Sequence, residues 1–189
     1  MKFAFIILPL SFIWLFSEIL LGILKRAPGD KSAGHDKASM RVLWTAIIIS
    51  VTIGVYMGLS SFGYIPGLRN YAFNVGVAFI ILGLVIRWIA ILTLRRYFTV
   101  DVAIMSDHKI IERGLYKYIR HPSYTGSLLS FLGLGLAFSN WISILLIVIP
   151  IFWAFRRRIG IEEAALLQTF GVDYQNYMSR TRRLLPGIY

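Results

Sequence analysis

Gly114-Leu115-Tyr116-Lys117-Tyr118-Ile119-Arg120-His121-Pro122-Ser123-Tyr124-Thr125-Gly126 is a polar, basic and aromatic stretch set between long apolar runs. Ionisable groups beside a bilayer are costly to bury, so such an interruption is a first candidate for function. Pro122 fits the first position of a helix, where its missing N–H is not needed. A second polar cluster, Arg156-Arg157-Arg158 with Glu162-Glu163, follows the last apolar run.

The chain has 189 residues, of which 57% are hydrophobic, and its mean hydropathy is +0.69. That is well above a soluble domain of this size and indicates an integral membrane protein. Only 15% of residues are charged, yet the net charge is +11. A nucleic-acid binder would stripe its Lys and Arg along a soluble face. Here they gather at the ends of apolar runs, which points to membrane topology and anionic headgroups instead. With no cysteine, disulfides and thiolate metal sites are excluded, and His35, His108 and His121 lack the spacing of a metal site.

Residues 3–24 form a first apolar run, long enough at about 1.5 Å per residue to span a ~30 Å hydrocarbon core. Lys2 precedes it as in a signal peptide. The run is too long for that role, however, and no Ala-x-Ala pattern follows it. The segment 25–41, with Pro28-Gly29-Asp30 and five basic residues, reads as a loop. Spans over 42–59 and 71–94 follow, separated by a turn with Gly63, Pro66 and Gly67. Residues 95–121 form a polar insertion in which 99–105 and 109–111 resemble a small hairpin around Ser106-Asp107-His108. Two further spans, 123–138 and 141–157, meet at Ser139-Asn140, a joint so short that they must form an antiparallel hairpin. The pattern stays helical to Phe170, Gly171 suits the C-cap, and an amphipathic segment 172–179 precedes a basic tail.

This gives an all-α integral membrane protein of five transmembrane helices in one membrane domain. Residues 1–94 supply three spans; residues 95–189 hold the hairpin 123–157 and a cytoplasmic tail. Seventeen of the twenty basic residues then fall on one side, which the positive-inside rule makes cytoplasmic, with the N-terminus outside and the C-terminus inside. Glu18 and Arg87 lie within spans one and three at similar depth, so they can pair; otherwise Arg87 lines a cavity.

Each polar cluster has a plain alternative. Arg156 to Arg158 can be interfacial anchors with solvated glutamates, and Tyr116, Tyr118 and Tyr124 can be an aromatic belt. Their joint occurrence is more telling. A hairpin of two spans returns the second to the level where the first began, so His121–Gly126 and Arg158–Glu163 become neighbours at the cytoplasmic face. Arg158 and Glu162, four apart, share a helix face, with Glu163 about 100° around.

The pattern Gly-x-Tyr-x-x-x-Arg-His-Pro-x-Tyr-x-Gly at 114–126, then an apolar hairpin, Glu162-Glu163 and Phe170-Gly171-Val172-Asp173-Tyr174-Gln175-Asn176-Tyr177, closes with Arg183-Leu184-Leu185-Pro186. It resembles the isoprenylcysteine carboxyl methyltransferase family over about residues 95–189. The resemblance implies an S-adenosylmethionine site in the last two spans and their cytoplasmic flanks. His121, Pro122, Ser123 and Tyr124 would contact the cofactor, Gly126 would permit its close approach, and Glu162 would bind it. Arg158 would hold the acceptor carboxylate as catalytic residue, and Glu163 matches a second acid whose role is open. The implied partners are a lipophilic or prenylated-peptide substrate and membrane lipids, without nucleic acid or metal.

The residue types suit that chemistry. A glutamate suits ammonium or ribose hydroxyls, aromatics suit adenine and sulfonium, and arginine is a bidentate partner for carboxylate. Two competing enzymes, an N-methyltransferase of an amine-headed phospholipid and an NADPH-dependent membrane reductase, fit related scaffolds. An amine acceptor would need a proton sink, for which His121 or Glu163 are the nearby candidates. A carrier or membrane scaffold without cofactor is the non-enzyme reading.

Overall fold

The computed structural model describes residues 2–25, 34–100 and 109–185, and side chains from 5–25, 38–100 and 109–185. Described here are six α-helices: α1 (Lys2–Leu24), α2 (Gly34–Leu59), α3 (Arg69–Leu94), α4 (Pro122–Ala137), α5 (Trp141–Phe170) and α6 (Val172–Arg180). Two single-turn 3-10 helices, Arg95–Tyr97 and Gly114–Lys117, lie in the polar insertion. Helices α1, α2 and α3 are each long and apolar enough to cross a membrane. Their exposed faces carry large apolar side chains such as Phe5, Phe12, Ile48, Tyr56 and Leu92, the pattern of a surface solvated by lipid rather than water.

Helix α2 begins earlier than its apolar run suggests. Residues 34–41, expected to be loop, are already helical, because a membrane helix continues into the headgroup layer where polar residues are solvated. Residues 99–100 and 109–111 form no strand, and the rest of the expected hairpin, 101–108, lies outside the described residues. Pro122 does open α4, and Gly171 caps α5 with φ 51°.

The core seam is the antiparallel pair α3 and α4. A Cβ on Gly126 would lie 2.5 Å from the Gly83 carbonyl oxygen, and one on Gly133 would lie 2.5 Å from that of Gly76. Small residues two turns apart on each helix therefore bring the backbones into contact. Between them, the Ser130 hydroxyl donates to the Ile80 carbonyl at 3.2 Å. Gly126, expected from the motif beside the cofactor, makes room for α3.

Helix α2 packs against α5, and Ile80, Phe131, Leu134, Ile147, Ile151 and Phe155 fill the space between the helix pairs. At the end away from His121, buried Asn140 ties the loops together. Its side-chain amide donates to the carbonyls of Met57 and Phe62 at 3.0 and 2.8 Å, while its oxygen accepts from the N–H of Ile142 and Ser143. One residue caps α5 and fastens the α2–α3 turn to the hairpin, satisfying groups that would otherwise be buried unpaired. Helix α1 adds to this frame through Trp14, whose ring centroid is 4.7 Å from that of Phe131, and through Glu18.

Candidate active site

The hairpin brings the two polar clusters together as its geometry requires. The start of α4 and the seventh turn of α5 meet where His121 stands between two adjacent glutamates. Its Nδ1 lies 3.5 Å from Glu162 and its Nε2 lies 3.3 Å from Glu163. One residue of helix separates the glutamates by about 100°, so each carboxylate serves a different set of partners.

Glu162 is bound up with Tyr124 and Arg158. The Tyr124 hydroxyl donates to it, and Arg158 Nε lies 3.4 Å from Oε1. Arg158 Nε also donates to the Tyr124 oxygen at 3.0 Å. The phenol is therefore a bridge, accepting from the arginine and donating to the glutamate. Its ring packs against Phe155 at 4.8 Å and near His121 at 5.9 Å, which fixes the hydroxyl's position. The rest of the Arg158 guanidinium is engaged from other elements. Nη1 donates to Ser39 Oγ on α2 at 3.0 Å, and Nη2 donates to the Val100 carbonyl at 2.6 Å. At 2% exposure Arg158 is a fully desolvated cation, and such a charge persists only with this many partners.

Glu163 faces the other way. Arg120 Nε donates to it at 2.8 Å, and Arg183 donates from Nε at 2.9 Å. Burial would raise its carboxyl; hydrogen bonds from His121, Arg183 and Arg120 outweigh that and hold it down to about 2. The side-chain exposures, 4% for Glu163 against 23% for Glu162, decide which acid has an open edge for a ligand. It is Glu162.

The C-terminal segment is built into the same cluster. Ile119 and Arg182 form a parallel bridge, the N–H groups of Arg120 and His121 donate to the carbonyls of Arg182 and Arg183 at 2.7 and 3.0 Å, and the Arg182 N–H returns to Tyr118 at 3.1 Å. Arg120 Nη1 reaches the Thr181 carbonyl at 2.6 Å, and Thr125 donates to Leu184 at 2.8 Å. The Tyr177 hydroxyl donates to the Tyr116 carbonyl at 2.8 Å, joining α6 to the turn before the motif. Burial pushes the phenols of Tyr116, Tyr174 and Tyr177 well above their ordinary value, so they remain neutral donors.

Below the cluster, Arg87 and Glu18 do pair. Nη2 donates to Oε2 at 2.6 Å and Nε stands 2.6 Å from Oε1. Arg87 Nη1 continues to Ser123 Oγ and Ser127 Oγ, both at 2.9 Å. Ser123 is thereby committed to α3, and Pro122 is fully buried. Of the residues expected at the site, His121, Tyr124, Arg158, Glu162 and Glu163 converge; Ser123 and Gly126 face α3. The sequence reading did not single out Ser39, Val100, Thr181 or Arg183 as partners. Arg120 was visible within the motif but was given no partner there.

A desolvated arginine, two glutamates and a histidine thus lie together at one end of a bundle whose helices include three long and apolar enough to cross a membrane. A model of the isoprenylcysteine carboxyl methyltransferase (ICMT) family matches residues 76–168, from α3 through the glutamates. Protein-S-isoprenylcysteine O-methyltransferase B of Arabidopsis thaliana is 33% identical over 158 residues, covering 78% of this chain and 80% of the relative. A probable protein-S-isoprenylcysteine O-methyltransferase of Oryza sativa subsp. indica is 31% identical, covering 93% of this chain and 96% of the relative. The solved structure of the eukaryotic intramembrane Ras methyltransferase ICMT superposes with a TM-score of 0.59 at 27% identity. That match covers 82% of this chain and just over half, 55%, of the other. The chain belongs to the isoprenylcysteine carboxyl methyltransferase family.

Proposed function

We propose that this protein transfers a methyl group from S-adenosylmethionine to the carboxylate of an isoprenylcysteine-like acceptor at the cytoplasmic face of the membrane. The observation that carries this reading is the Arg158–Tyr124–Glu162 bridge, which sets a carboxylate-binding cation beside an acid with an open edge. Family membership supplies the reaction class, and these residues fit it. Glu162, with its partly exposed carboxylate, suits the cofactor's ammonium or ribose hydroxyls. The His121, Tyr124 and Phe155 rings suit its adenine and sulfonium. When bound, the cofactor supplies an electrophilic methyl on a positively charged sulfur.

The chain's own residues position the acceptor. A carboxylate is already ionised, so no general base is needed, and the task is alignment and exclusion of water. Arg158 is the bidentate partner, and the Val100 carbonyl on Nη2 holds the place that an acceptor oxygen would take. Because Arg158 also leans on Tyr124 and Ser39, it orients the acceptor without fully neutralising the nucleophile. Amine methylation would need a proton sink. Glu163 is taken by Arg120 and Arg183, and His121 lies between two carboxylates, an arrangement that suits O-methylation better.

We read α4 and α5 as two further spans beside the three long apolar helices, five in one membrane domain, with the His121 end cytoplasmic by the positive-inside rule. Helix α4 has 16 residues and so reaches about 24 Å, short of a ~30 Å core. Its first residues therefore sit at or below the headgroup level, where a lipid-anchored acceptor can meet them. A furrow of about 670 Å³ between α2 and α5 is lined by Ala38, the chain neighbour of Ser39, and by Val42, Ile49, Ile53, Leu146 and Pro150 among others. The acceptor's apolar chain would lie there, with its carboxylate at Arg158.

Calorimetry in lipid nanodiscs tests this reading. S-adenosylhomocysteine should bind and NADP should not, and Glu162→Ala should remove the signal while Arg158→Ala keeps it. Binding of NADP alone would replace the methyltransferase by a reductase.

A further inference from the structure

Glu163 carries more cationic partners than any ligand-facing acid requires. Arg120, Arg183 and His121 all address one carboxylate that is 4% exposed. Two of these partners also bind the C-terminal segment: Arg120 through Thr181 and through its own N–H to Arg182, and His121 through its N–H to Arg183. The third, Arg183, is itself part of that segment. Helix α5, the start of α4 and the segment 181–184 are thus three separate elements meeting at one side chain.

The geometry points to Glu163 as a positioning residue, a latch that holds the C-terminal segment against residues 118–121 and so sets the His121 ring facing Glu162. The segment becomes a wall of the cofactor site, although it is more than 55 residues away in sequence from the strand-like backbone it pairs with. Glu163 need touch neither cofactor nor acceptor. This rests on the reading of Glu162 as the cofactor's acid, and it gives a role to Glu163, the motif's second acid.

The test is a kinetic split combined with amide hydrogen exchange, on the full chain in nanodiscs, with S-adenosylmethionine and a farnesylcysteine analogue. Glu163→Gln should raise KM for S-adenosylmethionine about tenfold or more, the loss expected for a charge-assisted hydrogen bond, with kcat at saturation within about twofold. Arg183→Gln should do the same, Arg183→Lys should restore most of the affinity, and the double variant should be no worse than Glu163→Gln alone. The amides of Arg120, His121 and Arg182 should exchange faster in Glu163→Gln whether or not cofactor is added. A fall in kcat with KM and exchange unchanged would make Glu163 a catalytic group and overturn the latch. Additive effects of the two substitutions would overturn it as well. If Glu163→Gln fails to fold, Arg183→Gln, altering a partly exposed residue, carries the same comparison. If the wild type shows no methyl transfer, the proposed function fails while the exchange measurement still decides the latch.

Discussion

Arg158 donates from Nε to the phenolic oxygen of Tyr124 at 3.0 Å, and that same hydroxyl donates onward to Glu162. The acceptor-side cation and the cofactor-side acid are therefore joined through one oxygen. Without it, Arg158 and Glu162, an ion pair at 3.4 Å, would tighten against each other and withdraw the carboxylate's open edge. Tyr124→Phe keeps the ring against Phe155 and should leave thermal stability near wild type. Its kcat/KM for methyl transfer should fall by about 10- to 100-fold, and steady-state kinetics beside a melting curve checks both halves.

A bulky side chain in the furrow should separate acceptor from cofactor. Ile49→Trp and Ile53→Trp, on the α2 side of the furrow, should raise KM for the prenyl acceptor with S-adenosylhomocysteine affinity unchanged. Equal kinetics with a farnesyl and a short-chain acceptor would show that the chain lies elsewhere.

Glu18 is the counter-ion of a cation inside the apolar layer. Glu18→Leu leaves Arg87 without its carboxylate and should cost about 3–5 kcal/mol, the usual penalty for breaking a buried pair from one side. Removing both charges, as in Glu18→Leu with Arg87→Met, should recover much of that stability. Cofactor affinity should not recover with it, since Arg87 also holds Ser123 at the start of α4. Chemical denaturation and calorimetry on the two variants distinguish these effects.

The latch should also respond to pH in a defined direction. Glu163 stands at about 2 in the folded protein against an ordinary 4.5. A lowered value means that its stabilisation is complete above pH 4.5 and is lost as pH falls through about 2. Hydrogen exchange at residues 118–121 and 181–184 should therefore quicken between those pH values before the helical bundle itself melts. In Glu163→Gln that step should be absent.

Hydropathy and turn chemistry were enough to place the long helices. Pro122 marked the start of α4, the brevity of Ser139-Asn140 forced a hairpin, and the four-residue spacing of Arg158 and Glu162 put both on one face. Those local rules carried the site's main residues. What escaped them was contact between distant elements. Gly126 faces α3 because Gly83 lies opposite, a match that appears only once two helices are paired. Ser39 was hidden in residues read as loop, since polar residues at a headgroup-level helix start lack an apolar period. Arg183 meets Glu163 through a backbone pairing between residues 119 and 182, and no local pattern announces it.

The most direct test of the account is transfer of a labelled methyl group from S-adenosylmethionine by the purified protein in nanodiscs, with a farnesylcysteine analogue and amine-headed phospholipids offered together. The product should be the farnesylcysteine methyl ester, identified by mass, and Arg158→Ala should abolish it while S-adenosylhomocysteine still binds. Label appearing on the phospholipid amine, or ester formed by Arg158→Ala at the wild-type rate, would contradict the assignment of this site.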